Sequence, residues 1–456
     1  MNNVNSIDCD FCIVGAGFAG LTAAYRLMQA GYSVFIVEAR DRIGGRVWTK
    51  YLDDGTPIDL GGTFVGPGQD RIYALIEEMG LETTPTHVHG DTLLIYKNKL
   101  HRFSGLIPNI DMISLASVWA SFQLLSQMSH QVPNDAPWSC SRAKEWDSIS
   151  LGQWIDNPIH ALTQPARDML RALFIGLFTC EPSEISLLYV LFHIAAAGND
   201  IELQMKVEGG AEQDMVQTGM MSVAQKLEEK IGDRFVFSSP VREILQDENG
   251  VTVRSDKAEI KAKRVVVAIP PNLADDIEYT PLLPATRAEL LRHMPAGRCI
   301  KFVTVYDQPF WRNDGLSGEV TPIDGLISIT LDTSRPGNKH GILMSFSFAR
   351  EAILLAEMSA EERKKHLFDA LEQRFGPRAC QPEHYFELDW AQERWTRGCH
   401  VSHLAPGVMT SYGHVIREPF GRIHWATTES SPIWNGNIDG AVRAAEHVVR
   451  EIILST

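Results

Sequence analysis

Three observations predict an α/β fold of more than one domain. The chain is 456 residues long, more than one hydrophobic core usually organises. Its first forty residues place an apolar run, a glycine-rich turn, a helical stretch and a second apolar run in succession, the order of a β–α–β unit on a parallel sheet. Farther on, residues 235–270 alternate as strands do, while ARDMLRALFIGLFTC and SLLYVLFHIAAAG carry the texture of buried helices.

The N-terminal unit is the most informative. Phe11-Cys12-Ile13-Val14 is a strand leading into Gly15, Gly17 and Gly20. LTAAYRLMQAG then has helical character and stops at Gly31. SVFIVEA is a second strand ending in Glu38. Gly15 permits the tight turn, Gly17 lets a pyrophosphate approach the backbone, and Gly20 lets helix and sheet pack closely. The helix N-terminus presents free N–H groups and a positive dipole end to phosphates. Glu38 can accept hydrogen bonds from a ribose 2′-OH and disfavours a 2′-phosphate, so NADP fits poorly. The unit is a Rossmann-like dinucleotide site, and at this point NAD and FAD both remain open.

The next segment, EARDRIGGRVWT, sets Gly44-Gly45 among Arg40, Arg42 and Arg46. Arginines there can neutralise pyrophosphate; the plainer alternative is a solvated basic loop. PIDLGGTFVGPGQDRI adds Gly61-Gly62, where bare backbone could lie against a flat ring. The apolar stretch Ile110 to Met128 has helical spacing. No internal repeat or low-complexity segment is visible.

Composition limits the partners. Hydrophobic residues make up 44% and charged residues 22% of the chain, and the net charge is -15, which makes a nucleic-acid ligand unsuitable and weakly favours cationic small molecules. Seven scattered cysteines, Cys9, Cys12, Cys140, Cys180, Cys299, Cys380 and Cys399, fit a reducing cytoplasm. Cys9 and Cys12 form a C-x-x-C on a strand, where positions three apart point to opposite faces, so no metal site is expected. MNNVNSIDCD is no signal peptide, and no run reaches the ~18 apolar residues of a membrane span. The expectation is a soluble cytoplasmic protein, and a homodimer is compatible with it.

These segments together resemble the flavin-dependent monoamine oxidase family, over nearly the whole chain. IVGAGFAGLTAA, EARDRIGGRV and DLGGTFVGPGQDRI are similar to the family's N-terminal FAD segments, which implies FAD contacts at Gly45, Arg46, Gly61, Gly62 and Thr63 beside those above. SPVREI resembles the strand whose backbone, at Val241, meets the adenine. VVVAIPP resembles the strand and loop where the chain leaves the FAD domain. GRCIKFVTVYDQPFW resembles the segment carrying a flavin-facing lysine, here Lys301. RGCHVSHLAPG and RIHWATTESSPIWNGNIDGAV resemble the C-terminal FAD and substrate segments. The resemblance implies a discontinuous FAD domain from about 1–83, 214–289 and 393–456, and a substrate domain of mixed sheet and helices from about 84–213 and 290–392.

The chemistry so implied is oxidation of an amine. FAD accepts a hydride equivalent from the carbon beside a neutral nitrogen, water hydrolyses the iminium to an aldehyde or ketone, and dioxygen takes the electrons to give peroxide. Because the amine must be neutral, activity should rise toward alkaline pH. Lys301 would assist the oxygen half-reaction through a water. Trp390 would line the flavin site, Glu429 would accept hydrogen bonds within it, and the Ile438 N–H would meet the flavin pyrimidine edge. Cys399 stands where some family members attach FAD through a thioether; otherwise it is a small buried apolar residue.

Several positions depart from the family pattern. Two tyrosines usually flank the amine, and His400 and Asn437 stand there instead. They offer hydrogen bonds rather than an aromatic cage, and His400 could titrate near neutrality, which suggests an additional polar group on the substrate or a different amine geometry. Phe64 replaces a common tyrosine, Thr427 stands where glycine is usual and could crowd the ribityl-phosphate, and TGMMSV lacks one glycine. The competing readings are an amine dehydrogenase with a protein electron acceptor, a carbon-framework desaturase, an L-amino acid oxidase, and a flavoprotein whose pocket has decayed.

Overall fold

The expected β–α–β unit forms at the N-terminus. In this computed structural model, which describes residues 5–97, 99–104 and 111–455, strand Asn5–Val14 is followed by helix Phe18–Gln29 and strand Val34–Val37, parallel to the first. Phe11 and Ile13 pack into the core under the helix, while Cys12 and Val14 enter a second core on the opposite face of the sheet. Covered on both sides, the strand needs a continuous apolar run rather than an alternating one. Gly31, at φ +89°, follows the helix and turns the chain back.

The unit belongs to an eight-stranded sheet. Strand Ala258–Val267 runs parallel to the first strand along its whole length. Its other side is shared: residues 259–262 pair antiparallel with Val251–Ser255, and residues 265–267 pair parallel with Ile423–Trp425. The carboxyl ends of three parallel strands, at Val14, Val267 and Trp425, therefore lie side by side. Ligands of open α/β sheets bind just beyond such ends.

A seven-stranded sheet forms a separate layer, in the order 384–389, 299–306, 341–348, 330–332, 316–322, 91–96 and 99–103. Only strands 316–322 and 91–96 pair parallel. Helices Gln164–Phe178 and Leu187–Ala196 form where the sequence suggests, and all ten residues of the second are buried. The apolar stretch from Ile110 behaves differently. Ile110 lies outside the described residues; Asp111 caps helix Met112–Ser129 by accepting the Ser114 N–H at 2.8 Å. That helix turns Ser114, Ser117, Ser121 and Ser129 inward and leaves Met112, Ile113 and Trp119 exposed. The serines can face inward because they find partners: Ser117 Oγ accepts from the Leu162 N–H and Ser121 Oγ donates to the His160 carbonyl.

Candidate active site

A cavity opens at the carboxyl ends of the three strands. Its wall runs from Gly15, Gly17 and Glu38, past Arg40, Gly45, Arg46, Gly62 and Val241, to Cys399, His400, Asn437 and Ile438.

At the Gly15 end the backbone dictates the shape. Gly15 has φ +100°, and a Cβ there would stand 2.7 Å from Ile269 Cγ2. A Cβ on Gly20 would stand 2.0 Å from the Gly15 carbonyl oxygen, so Gly20 serves the approach of helix to turn and stands behind the wall. Gly17 has only Gly45 Cα near its Cβ position, at 3.8 Å, and its bare face borders the cavity. Glu38 is buried; one carboxylate oxygen accepts the Ala16 N–H at 2.7 Å and the other the Arg40 N–H at 2.8 Å. A carboxylate has about four lone-pair positions, so Glu38 ties the glycine loop to the second strand and keeps acceptor capacity for a ligand.

The arginines divide. Arg40 is tied to Glu393 at 3.2 Å and also donates to Thr396. Arg46 forms a two-pronged pair with Glu429, at 2.7 and 3.2 Å, and donates to the His400 carbonyl at 2.8 Å. Burial pushes the Glu429 carboxyl up, but the Arg46 guanidinium outweighs it and holds the group below the usual carboxylate range. Arg42 is not on the wall: it donates to the carbonyls of Ile43, Gly45 and Val47 and braces the loop. Arg40 and Arg46 reach the cavity already paired with carboxylates.

Five of the anticipated contacts lie behind the wall. A Cβ on Gly61 would stand 2.4 Å from the Arg46 carbonyl oxygen, so that glycine answers to neighbouring backbone rather than to a flat ring. Lys301 Nζ donates to the Gly61 carbonyl at 2.6 Å and to Thr63 Oγ1 at 2.9 Å, and Trp390 Nε1 donates to the Leu60 carbonyl at 3.0 Å. Lys301, Thr63 and Trp390 thus clamp the segment that presents Gly62 to the cavity. Burial lowers the Lys301 ammonium to about 8, against the opposing influence of Asp59. Glu429 stands behind Arg46.

At the far end, Cys399 and His400 are joined by a cis peptide. Burial raises the Cys399 thiol to about 11, with Arg46 and Lys301 pulling the other way. The His400 Nε2 lies 2.6 Å from the Leu177 carbonyl oxygen and donates to it, leaving Nδ1 as an acceptor. Burial pushes His400 below the ordinary imidazole value, against the hydrogen bond to Leu177. Asn437 stands just before helix Ile438–Leu454 without a side-chain bond to it; its Nδ2 donates to the Asn435 carbonyl at 3.3 Å, leaving Oδ1 free to accept. Ile438 opens that helix on the cavity wall, where the first-turn N–H groups have no intrahelical partner. Thr427 also borders the cavity. The sequence reading missed Trp395, Thr396 and Thr428 on this wall; only their closeness in sequence to Cys399 and Glu429 hinted at it.

The bare Gly17, the open helix N-terminus and the spare acceptors of Glu38 fit a bound dinucleotide such as FAD. Comparisons with known proteins agree. The family of flavin containing amine oxidoreductases matches residues 18–453. The flavin-containing amine oxidase B of Sus scrofa is 35% identical, covering 98% of this chain and 86% of its own. A putrescine oxidase solved with putrescine bound superposes with a TM-score of 0.94 at 32% identity, over 99% of this chain and 100% of that one. Cyclohexylamine oxidase from Brevibacterium oxydans superposes at 0.93 and 32% identity, over 98% and 99%. With the glycine cradle, the strand-end cavity and this whole-length likeness together, the chain belongs to the family of flavin-containing amine oxidoreductases.

Proposed function

We propose that the chain oxidises an amine C–N bond to an imine, with FAD as cofactor and dioxygen as the final electron acceptor. The observation that carries this reading is the single cavity joining Glu38 and the glycine loop to Cys399, His400 and Asn437. FAD, when bound, supplies the acceptor for the hydride equivalent leaving the amine α-carbon and passes the electrons to dioxygen as peroxide. Gly15, Gly17 and the helix start at Phe18 would hold the pyrophosphate, Glu38 a ribose, the Val241 backbone the adenine, and the Ile438 N–H the pyrimidine edge. His400 Nδ1 and Asn437 Oδ1 can each accept an N–H of a neutral amine, orienting its lone pair. Burial at this end disfavours an ammonium and excludes water. Lys301 Nζ can hold or release a proton around pH 8.

Cys399, on the cavity wall, is the residue through which the cofactor would be held covalently; its raised thiol makes attachment favour alkaline conditions. The division into a cofactor part (1–83, 214–289, 393–456) and a substrate part (84–213, 290–392) is supported by sheet membership, because every strand of the eight-stranded sheet falls in the first set and every strand of the seven-stranded sheet in the second. Among the described residues no helix is long and apolar enough to cross a membrane, and the scattered free cysteines support a reducing cytoplasm. The exposed Met112, Ile113 and Trp119 support a homodimer.

The test is a panel of primary, secondary and polyamines mixed with purified protein and assayed for peroxide, beside anaerobic bleaching of the yellow colour. Bleaching without peroxide, and slow reoxidation by air in stopped flow, would select a protein electron acceptor instead. Protein that is colourless and stays so when supplied with FAD would overturn the reading.

A further inference from the structure

Lys301 is held by uncharged groups. Its Nζ donates to the Gly61 carbonyl and to Thr63 Oγ1, and stands 5.3 Å from the centre of the Phe346 ring. A buried ammonium needs a counter-charge within reach. One stands just upstream of Gly61. Asp59 closes strand Pro57–Asp59 and is buried. One of its carboxylate oxygens accepts from Thr49 Oγ1 at 2.5 Å and from the Met220 N–H at 3.3 Å, and the other pairs with Arg335 at 2.5 Å. Arg335 also donates to the carbonyls of Val216, at 3.0 Å, and Pro57, at 3.4 Å. Both side chains of the pair are 1% exposed, so water does not screen their field.

The spacing between this pair and Lys301 is fixed by bonds to one segment. Arg335 grips it at Pro57 and Asp59, Trp390 at Leu60, and Lys301 at Gly61 and Thr63. Asp59 favours the Lys301 ammonium and Arg335 opposes it; Asp59 is the stronger, so the carboxylate end of the pair is turned toward the lysine. The other titratable neighbours carry no charge at neutral pH. Burial pushes up the thiols of Cys299 and Cys399. Glu212, which feels the ammonium, is raised to about 8 by burial and by Glu319. Cys399 feels the ammonium too and borders the cavity, which places Lys301 directly behind the wall. A buried ion pair adds little stability that apolar packing would not supply, so its field is the property that needs a use.

We propose that Asp59, fixed by Arg335, is a positioning residue for Lys301: it holds the proton on Nζ behind the cavity wall and thereby sets the upper pH limit of the oxygen half-reaction. This rests on the amine-oxidase reading above and deepens it. Dioxygen becomes peroxide by gaining two electrons and one proton from the reduced cofactor and a second proton from solvent. Negative charge gathers on the oxygen before the protons arrive, and an ammonium behind the wall stabilises it. That help ends when Lys301 loses its proton.

The test uses holoenzyme carrying lysine labelled with carbon-13 at Cε. The Lys301 resonance is the one missing from Lys301→Met, and it should titrate at about pH 8. Asp59→Asn should lower that midpoint by about one pH unit or more. Arg335→Met should raise it, because the carboxylate then acts without its offset. Damage to packing alone would not give shifts of opposite sign. If Asp59→Asn fails to fold because Arg335 is stranded, the double variant Asp59→Asn/Arg335→Met removes both charges and should still lower the midpoint, by less. In parallel, holoenzyme reduced with dithionite is mixed with air-saturated buffer in stopped flow. Its reoxidation rate should fall through the Lys301 midpoint and move with it in each variant. A midpoint unmoved by Asp59→Asn, or moved the same way by both single substitutions, would overturn the proposal, and so would a reoxidation rate that ignores the moved midpoint. Failure of every amine to bleach the flavin would strike instead at amine oxidation, and leave the Lys301 titration standing on its own.

Discussion

The two ends of the cavity are built from different materials. Around Gly15 the wall is backbone: a positive φ, a helix start, and a carboxylate that holds two N–H groups at 2.7 and 2.8 Å. Around His400 it is side chains, several with acceptors still unused. A backbone-built surface fixes one ligand and tolerates little change. A side-chain-built surface can be re-specified by substitution without disturbing the scaffold. Variants at the first end should therefore lose the cofactor or the fold, and variants at the second should change only rate and preference.

The sharpest way to break this contrast is Gly20→Ala, whose new methyl would meet the Gly15 carbonyl oxygen at 2.0 Å. Loss of more than about 4 kcal/mol is expected, seen as failure to purify yellow protein; a variant with normal Tm and flavin content would refute the backbone account. Arg46→Ala comes next. It strands the fully covered Glu429 carboxylate and should cost about 3 kcal/mol in denaturant unfolding. The same pair gives a sign to acid sensitivity: Glu429 is held below its unfolded value of about 4.3, so its stabilisation is full above that pH and is lost as pH falls through the folded value. Arg46→Ala should flatten that acid limb.

Glu38→Ala removes two acceptors from the glycine loop and should cut flavin retention about tenfold or more, measured after gel filtration, with Tm falling less than for Arg46→Ala. At the other end, Asn437→Ala should lower kcat/KM about ten- to a hundredfold while the visible spectrum and Tm stay close to those of the parent. The smallest effect concerns pH. Because burial keeps His400 below the usual imidazole value of about 6.5, kcat/KM should climb toward alkaline pH along the titration of the free amine, with no break near pH 6.5. A break there that vanishes in His400→Phe would show that His400 titrates after all.

This contrast also governs how much of the molecule could be read from its residues. The order of strand, glycines, helix, strand and acid encodes backbone geometry directly, so Gly15, Gly17, Gly20 and Glu38 stand where the motif requires. Side-chain direction is not encoded in the same way. Arg40, Arg42 and Arg46 look equivalent in EARDRIGGRV, yet Arg42 turns to its own loop's carbonyls, and the other two are paired with Glu393 and Glu429, each more than 350 positions away. Lys301 could be placed on a strand, but its depressed ammonium and its clamp on the Gly61 carbonyl depend on a segment 240 positions distant. The helix from Met112 defeats periodicity because four of the seven residues it buries are serines.

Strand Ala258–Val267 carries one more consequence. The lower half of its outer side is covered by the hairpin partner just before it in sequence, but the upper half, beside the cavity, stays bare until residues 423–425 arrive. A nascent chain emerging from the ribosome can thus assemble most of this sheet early, yet the half of the cradle contributed by Cys399, Thr427 and Ile438 is translated after it. A chain that stopped short of residues 399–438 would carry the glycine loop with nothing to close over it.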